Sequence, residues 1–417
     1  MTILFSVSVA WAQNYSPSKE NLEKREWFND ARFGIMIHWG LYSMLAGGGE
    51  NAPSEWILRN KNIPPKAYRK LMDFFNPSQF SASEWVDVVK NSGAGYLNFV
   101  VKHGDGFLLY NSNTSNFKVT NTPYGKDVLE EIKKACNAKG VKLILHYYQM
   151  DLADENYLAA KVDVKFKDEQ WQNYLETQNK QVNELMSNYG PIDGLWFNGW
   201  WDIGNKRDWQ LEKTYDIVHN NQSSTLITNN HHISLQDGED YELYYKKFPI
   251  DKVSKRPRET FFSISSSWGY NLVADDYLTS EEIITSIIKA AAHNSNFTLN
   301  IGPMPNGRIA PEIVKTLKEV GAWMEKYGSI IKGSRAVDWP SNEFLSFVMN
   351  HGKVYMFVSK DFQQEITLPT GVPVQKIKSA MRFGEDIKLA IQKRGKSWVF
   401  KDTEPIRKGT IYEINIQ

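Results

Sequence analysis

Cysteine is nearly missing from this chain: Cys136 is the one example in 417 residues. A single thiol cannot form an internal disulfide and does not suggest a zinc site. It lies in the helical pattern from Leu129 to Cys136 and reads as a small core or helix-face residue. An excess of charge is missing too. The 49 Lys and Arg residues balance 48 Asp and Glu, leaving a net charge of +1. Without a one-signed field, nucleic acid and membrane surfaces are poor partners, and a neutral ligand is expected. Long apolar runs are also lacking. The run from Ile3 to Ala12 is ten residues, where about 20 are needed to span a bilayer. It ends in Ala10-Trp11-Ala12 before Gln13-Asn14, a small-x-small pattern without a basic start. This reads as a signal-peptide remnant over residues 1–12 and predicts export to the periplasm or the exterior. No Gly-rich dinucleotide fingerprint follows the first strand pattern, which argues against a doubly wound nucleotide-binding sheet.

Aromatic residues are plentiful: 14 Trp, 20 Tyr and 21 Phe make up 13% of the chain. Where such rings line a cleft, their flat faces suit the C–H faces of sugars. Short apolar strand patterns recur at 33–39, 96–101, 142–147, 194–198, 226–230, 260–264 and 297–301. Amphipathic stretches lie between them, among them 168–186 and 280–292. Strands apolar on both faces and alternating with helices indicate a parallel sheet. Seven or eight such units over about 300 residues predict an α/β fold, a (β/α)8-like TIM barrel over residues 13–335. From Trp339 onward short strand patterns follow one another with turn residues and no helical pattern. A small antiparallel β-sandwich is expected over 336–417.

In such a barrel the working residues stand where strands end. Unusual polar residues fall at those places: His38, Lys102-His103-Gly104-Asp105, Tyr147-Tyr148, Asn198, and Asn229-Asn230-His231-His232. Five polar strand ends gathered on one face outweigh any one of them read as structural. The strings 31–43 (ARFGIMIHWGLYS), 54–56 (SEW), 102–107 (KHGDGF), 195–199 (LWFNG), 267–271 (SWGYN) and 299–309 (LNIGPMPNGRI) occur in this order. In that order and spacing the chain resembles glycoside hydrolase family 29, the α-L-fucosidases, from Trp27 to Arg335 with a β-sandwich after it.

The resemblance implies a terminal α-L-fucose on a glycan or oligosaccharide as partner, and no cofactor or metal. It implies retention: one carboxylate attacks the anomeric carbon and another carboxyl, about 5–5.5 Å away, protonates the leaving oxygen. His38, Glu55, Trp56 and His103 would hold the sugar, and Trp196 and Trp268 would flank its ring and methyl group. Tyr147 and His231 would stand at the third and fifth strand ends. The family's aspartate nucleophile falls on Asn198, a neutral amide. Its second histidine in the KHHDGF pattern falls on Gly104, and its arginine after the fifth strand is nearest to His231. The acidic loop 237–242 resembles the one that delivers the acid; Glu242 is the first candidate, with Glu239 and, outside the loop, Glu259 behind it. A carboxylate beside that acid would keep its pKa high; an amide gives no such push. Two further readings stay open. One is an inverting or other-sugar glycosidase, in which Asp202 or Asp151 activates water across about 6.5–9.5 Å. The other is a fucose-binding pseudo-hydrolase. The Asn198-Gly199 pair is also prone to deamidation, which would generate an aspartate. The adjacent His231-His232 pair and the Asp151–Glu155 stretch are weak metal candidates. Oligomeric state has no signal in the sequence.

Overall fold

The computed structural model describes residues 15–47, 53–165, 167–230, 234–251, 254 and 256–417. Residues 1–14 and His231 lie outside them, and so do the predicted signal segment and the predicted fifth-strand histidine.

Eight parallel strands make the larger body: β1 Phe33–Ile37, β2 Tyr96–Lys102, β3 Lys142–Tyr148, β4 Gly194–Asn198, β5 Leu226–Asn229, β6 Glu242–Tyr245, β7 Arg258–Ser263 and β8 Asn296–Ile301. The sheet runs β5-β4-β3-β2-β1-β8-β7-β6. This is the cyclic order of a TIM barrel, with its ends at β5 and β6. No ladder joins β5 to β6 among the described residues. At the strands' N-terminal ends the gap is bridged: Asp240 accepts from the Ile227 N–H at 2.6 Å, and Thr228 Oγ1 donates to the Tyr241 carbonyl at 2.7 Å. Helices Ala82–Asn91, Val128–Lys139, Asp168–Asn188, Leu211–Asn221 and Ser280–Ala292 cross between successive strands. Among the described residues no helix crosses from β5 to β6 or from β6 to β7.

Strand alternation sorts side chains into two cores. Odd positions such as Ile35, Leu97, Leu145, Leu195 and Leu299 pack outward under the helices. Met36, Tyr96, Ile144, Trp196 and Phe261 fill the barrel interior. Gly34 is required because a Cβ there would lie 2.2 Å from the Tyr96 ring. Glu259 on β7 is wholly buried in this interior. It accepts from Trp196 Nε1 at 2.9 Å, Tyr96 OH at 2.8 Å and Thr298 Oγ1 at 2.5 Å.

The predicted helix at 280–292 forms as Ser280–Ala292, opened by a capping box between Thr279 and Glu282. The helix Pro311–Ile331 follows β8 and carries the chain to the second body. That body has a five-stranded sheet, β13-β16-β11-β10-β9, and a three-stranded sheet, β12-β15-β14. Here β9 is Arg335–Ala336, β10 Leu345–Asn350, β11 Lys353–Val358, β12 Glu365–Thr367, β13 Ile377–Arg382, β14 Ala390–Arg394, β15 Ser397–Lys401 and β16 Ile411–Ile416. One face of β10 and β11 (Phe347, Val354, Met356) builds the sandwich core. The other face (Val348, Tyr355, Phe357) joins the barrel's outer core. No helix among the described residues is long and apolar enough to cross a membrane.

Candidate active site

A cleft of about 190 Å³ opens at the C-terminal ends of the barrel strands. His38, Trp56, Trp196, Asn198 and Trp268 line it, as the motif order predicts, with Met36, His146, Tyr148, Trp201, Asn230, Tyr245 and Phe261. None of these described lining residues is a carboxylate.

The amides fix the histidines. The Asn300 side-chain N–H groups donate to Ser263 Oγ at 3.0 Å and to the Trp268 carbonyl at 2.7 Å. Its oxygen must then accept from His38 Nδ1, 2.7 Å away, so His38 carries its proton on Nδ1 and turns Nε2 outward as an acceptor. Asn198 is held the same way. Its Oδ1 accepts from the Gly199 N–H at 2.8 Å, Trp201 Nε1 at 3.1 Å and Asn230 Nδ2 at 3.3 Å. Its Nδ2 therefore donates to His146 Nε2 at 3.2 Å.

His103 stands behind Trp56, with ring centroids 4.8 Å apart, and 4.1 Å from Tyr148. Both of its ring nitrogens are buried without a hydrogen-bond partner, as are His146 Nδ1 and Glu55 Oε1. Buried polar atoms are rarely left so, and such a cluster is what a hydroxyl-bearing ligand would satisfy. Glu55 turns its other oxygen to Ser267 Oγ at 3.1 Å and to the Gly269 N–H at 3.0 Å. Burial raises the Glu55 pKa, partly opposed by these bonds.

A bulge in β2 aims His103. The β2–β3 register slips between Val100 and Lys102, so Lys102 leaves the interior and pairs with Asp151 at 3.0 Å. The next residue then points into the barrel mouth. Gly104 leaves room that Met150 occupies: a Cβ there would lie 2.3 Å from the end of the Met150 side chain.

Two expectations from the sequence change. Tyr147 does not reach the cleft. It faces the helices, donating to Gln181 Oε1 at 2.6 Å, because strand alternation gives the cleft to His146 and Tyr148 instead. His146 was missed, although its spacing of two from Ile144 and Tyr148 signals a shared face. Glu242 is not on a loop and does not line this cleft. It begins β6, where its carboxylate accepts from Arg258 Nε at 3.2 Å and Tyr244 OH at 2.8 Å. Glu239 is buried and accepts from Tyr215 OH at 2.7 Å. Asp202 is engaged by Lys161 at 2.6 Å and Tyr157 OH at 2.7 Å. Among the described residues no group of three or more His, Cys, Asp or Glu converges as a metal site.

Burial keeps the site histidines neutral. It lowers the His38 pKa from 6.5 to about 4, and those of His103 and His146 well below 6.5. In the unfolded chain each would titrate near 6.5. Their contribution to stability is therefore full above pH 6.5 and is lost as pH falls below it, for His38 toward about 4, because protons bind the unfolded chain first. Thermal midpoints measured from pH 7.5 to 4.5 are expected to fall steadily below pH 6.5. Replacing His103 by Gln should flatten that fall; an unchanged slope would refute this origin.

A sequence model of the family described as Alpha-L-fucosidase matches residues 2–329. The chain belongs to the alpha-L-fucosidase family. It is 28% identical over 388 residues to an alpha-L-fucosidase of Dictyostelium discoideum, covering 85% of this chain and 83% of that one. The structure of alpha-L-fucosidase isoenzyme 1 from Paenibacillus thiaminolyticus matches with a TM-score of 0.84 at 26% identity, covering 95% of this chain and 100% of that one. An alpha-L-fucosidase of Lactobacillus casei, solved in complex with alpha-L-fucose product, matches at 29% identity and a TM-score of 0.64, covering 73% of this chain and 99% of that one. Barrel and C-terminal antiparallel sheets thus match the fold of alpha-L-fucosidase-family glycoside hydrolases.

Proposed function

We propose that the cleft receives a terminal α-L-fucosyl residue of a glycan, and that the chain holds this sugar far better than it cleaves it. One observation carries the second half: Asn198 stands where the family resemblance puts the nucleophile, with its amide oxygen taken by three N–H donors and no carboxylate beside it in the described lining. An amide has neither the charge nor the nucleophilicity to attack an anomeric carbon. The first half rests on complementarity. Both His103 nitrogens and Glu55 Oε1 lack partners among the described residues, His38 holds its Nδ1 on Asn300 and turns Nε2 outward, and these groups suit sugar hydroxyls. Trp196, Phe261 and Trp268 form an apolar wall for a C–H face and a methyl group. Retention remains the family-level mechanism for a chain with an aspartate at 198. Export is part of the same reading and rests on the apolar run from Ile3 to Ala12.

Calorimetry with L-fucose tests the binding half. L-Fucose is expected to bind, and L-galactose, which carries a hydroxymethyl where fucose has its methyl, to bind about tenfold more weakly. No heat with fucose, or equal affinity for both sugars, would overturn the assignment.

A further inference from the structure

Barrel and sandwich meet along the helix Ser280–Ala292, and they do not close completely on each other. A cavity of about 270 Å³ remains between that helix, the helix Pro311–Ile331, β10, β11 and the turn before β16. Its wall is mainly apolar, built from Ile284, Ile288, Trp323, Phe357 and Val358. The Trp323 indole is only half-buried and offers a flat face to an occupant. The cavity continues into a wider polar groove of about 650 Å³, with which it shares Thr285, Lys289 and Ser359, and this groove gives an entry from solvent.

Two polar groups in the apolar wall point to a ligand. Ser346 lies opposite Phe357 in the β10–β11 register, on the side of the sandwich that faces the barrel. The residue is 9% exposed, and its hydroxyl has no hydrogen-bond partner among the described residues. A buried hydroxyl against an apolar wall is costly unless something pairs with it. A position that served only to pack the sandwich on the barrel would be better filled by Ala or Val. Lys289 is the second group. The cavity lining carries three charges, Glu281, Lys289 and Lys408. Glu281 and Lys408 form an ion pair with each other, which leaves the Lys289 ammonium as an uncompensated positive charge at the wall.

We propose that this junction cavity is a second ligand site, separate from the barrel cleft, and that it takes a small aryl carboxylate bearing a ring hydroxyl. The ring lies against Trp323 and Phe357, the carboxylate meets the Lys289 ammonium in a charge-assisted hydrogen bond, and the ring hydroxyl pairs with Ser346. Small-ligand sites commonly sit where two domains meet and combine an apolar wall with a few polar groups. The volume falls just under their usual range of about 300–1,000 Å³, so the occupant is a single-ring molecule rather than a glycan. None of the residues of this cavity lines the barrel cleft.

Calorimetry on the full chain tests this with three probes: para-hydroxyphenylpropionate, its primary amide, and phenylpropionate. The hydroxylated acid is expected to bind about tenfold more tightly than the amide and several-fold more tightly than phenylpropionate. Lys289→Gln should erase the preference for acid over amide, and Ser346→Ala the preference for the ring hydroxyl. Thr285→Phe, which fills the cavity from the helix side, should abolish binding of all three. Absence of binding by any probe at millimolar concentration would overturn the site, as would equal affinity for acid and amide. Binding that survives Thr285→Phe with its preferences intact would place the ligand elsewhere and overturn it too. Should Thr285→Phe fail to fold, Lys289→Gln decides alone: an acid preference that persists in this variant refutes the assignment.

Discussion

Asn198→Asp is expected to raise hydrolysis of an activated aryl α-L-fucoside by about 10⁴-fold or more, the scale on which losing a nucleophile costs other hydrolases. The substitution is isosteric, and the site around it is already built for a carboxylate. One oxygen would keep the Gly199, Trp201 and Asn230 donors that now serve Oδ1. The other would face His146 Nε2, 3.2 Å from the present amide nitrogen. His146 can turn from acceptor to donor by moving its proton from Nδ1 to Nε2, and no bond is lost because Nδ1 has no partner. Preorganised donors of this kind hold a carboxylate in place without reorganisation. An aryl leaving group with a low pKa needs little proton assistance, so the assay reads the nucleophile alone. Initial rates of freshly purified wild type and variant, with peptide mass spectrometry at residue 198, decide the matter. A variant that binds fucose but stays inactive would remove Asn198 from the nucleophile's place. Wild-type activity at a comparable rate, with intact amide, would assign the chemistry to another carboxylate.

The second large effect concerns stability. Lys102→Met is expected to lower the unfolding free energy by about 3–5 kcal/mol, because it leaves the buried Asp151 carboxylate without its cation. The two groups are 3.0 Å apart, with side chains 1% and 10% exposed. Burial pulls the Lys102 pKa down, but Asp151 and Tyr147 outweigh it and leave the ammonium above its ordinary value. Its stabilisation is therefore present below about pH 10.4 and is lost as pH rises through the raised pKa. Adding Asp151→Asn to Lys102→Met should recover most of the loss. The amide oxygen still accepts from the Ala153 and Asp154 N–H groups, at 2.9 and 3.0 Å, and no buried charge remains. Urea unfolding of the single and double variants measures the difference; a double variant no better than the single one would assign the loss to packing. Because His103 follows Lys102 directly, the single variant should also weaken fucose binding.

The sequence by itself determined the family, the strand–helix order and most of the cleft. These depend on local patterns: apolar runs of strand length, the capping residues before Ser280, and motifs whose polar residues sit where strands end. His38, Trp56, Trp196, Asn198 and Trp268 were legible for that reason, and they line one cleft. Tertiary structure alone decided what depended on parity, on edges and on distant partners. Strand β3 is apolar on both faces, so its pattern could not tell whether His146 or Tyr147 faces inward; the bulge and the barrel's closure did. Strand β6 is four residues long and follows an acidic turn, so Glu242 read as a loop residue until its pairing with β7 and Arg258 was seen. Asp202 and Glu259 looked available as carboxylates, because a sequence lists charges without their partners. In the fold Asp202 meets Lys161 and Tyr157, and Glu259 meets three donors inside the barrel. That no ladder joins β5 to β6 among the described residues left no mark in the sequence, since which strand edges pair is decided only when the barrel forms.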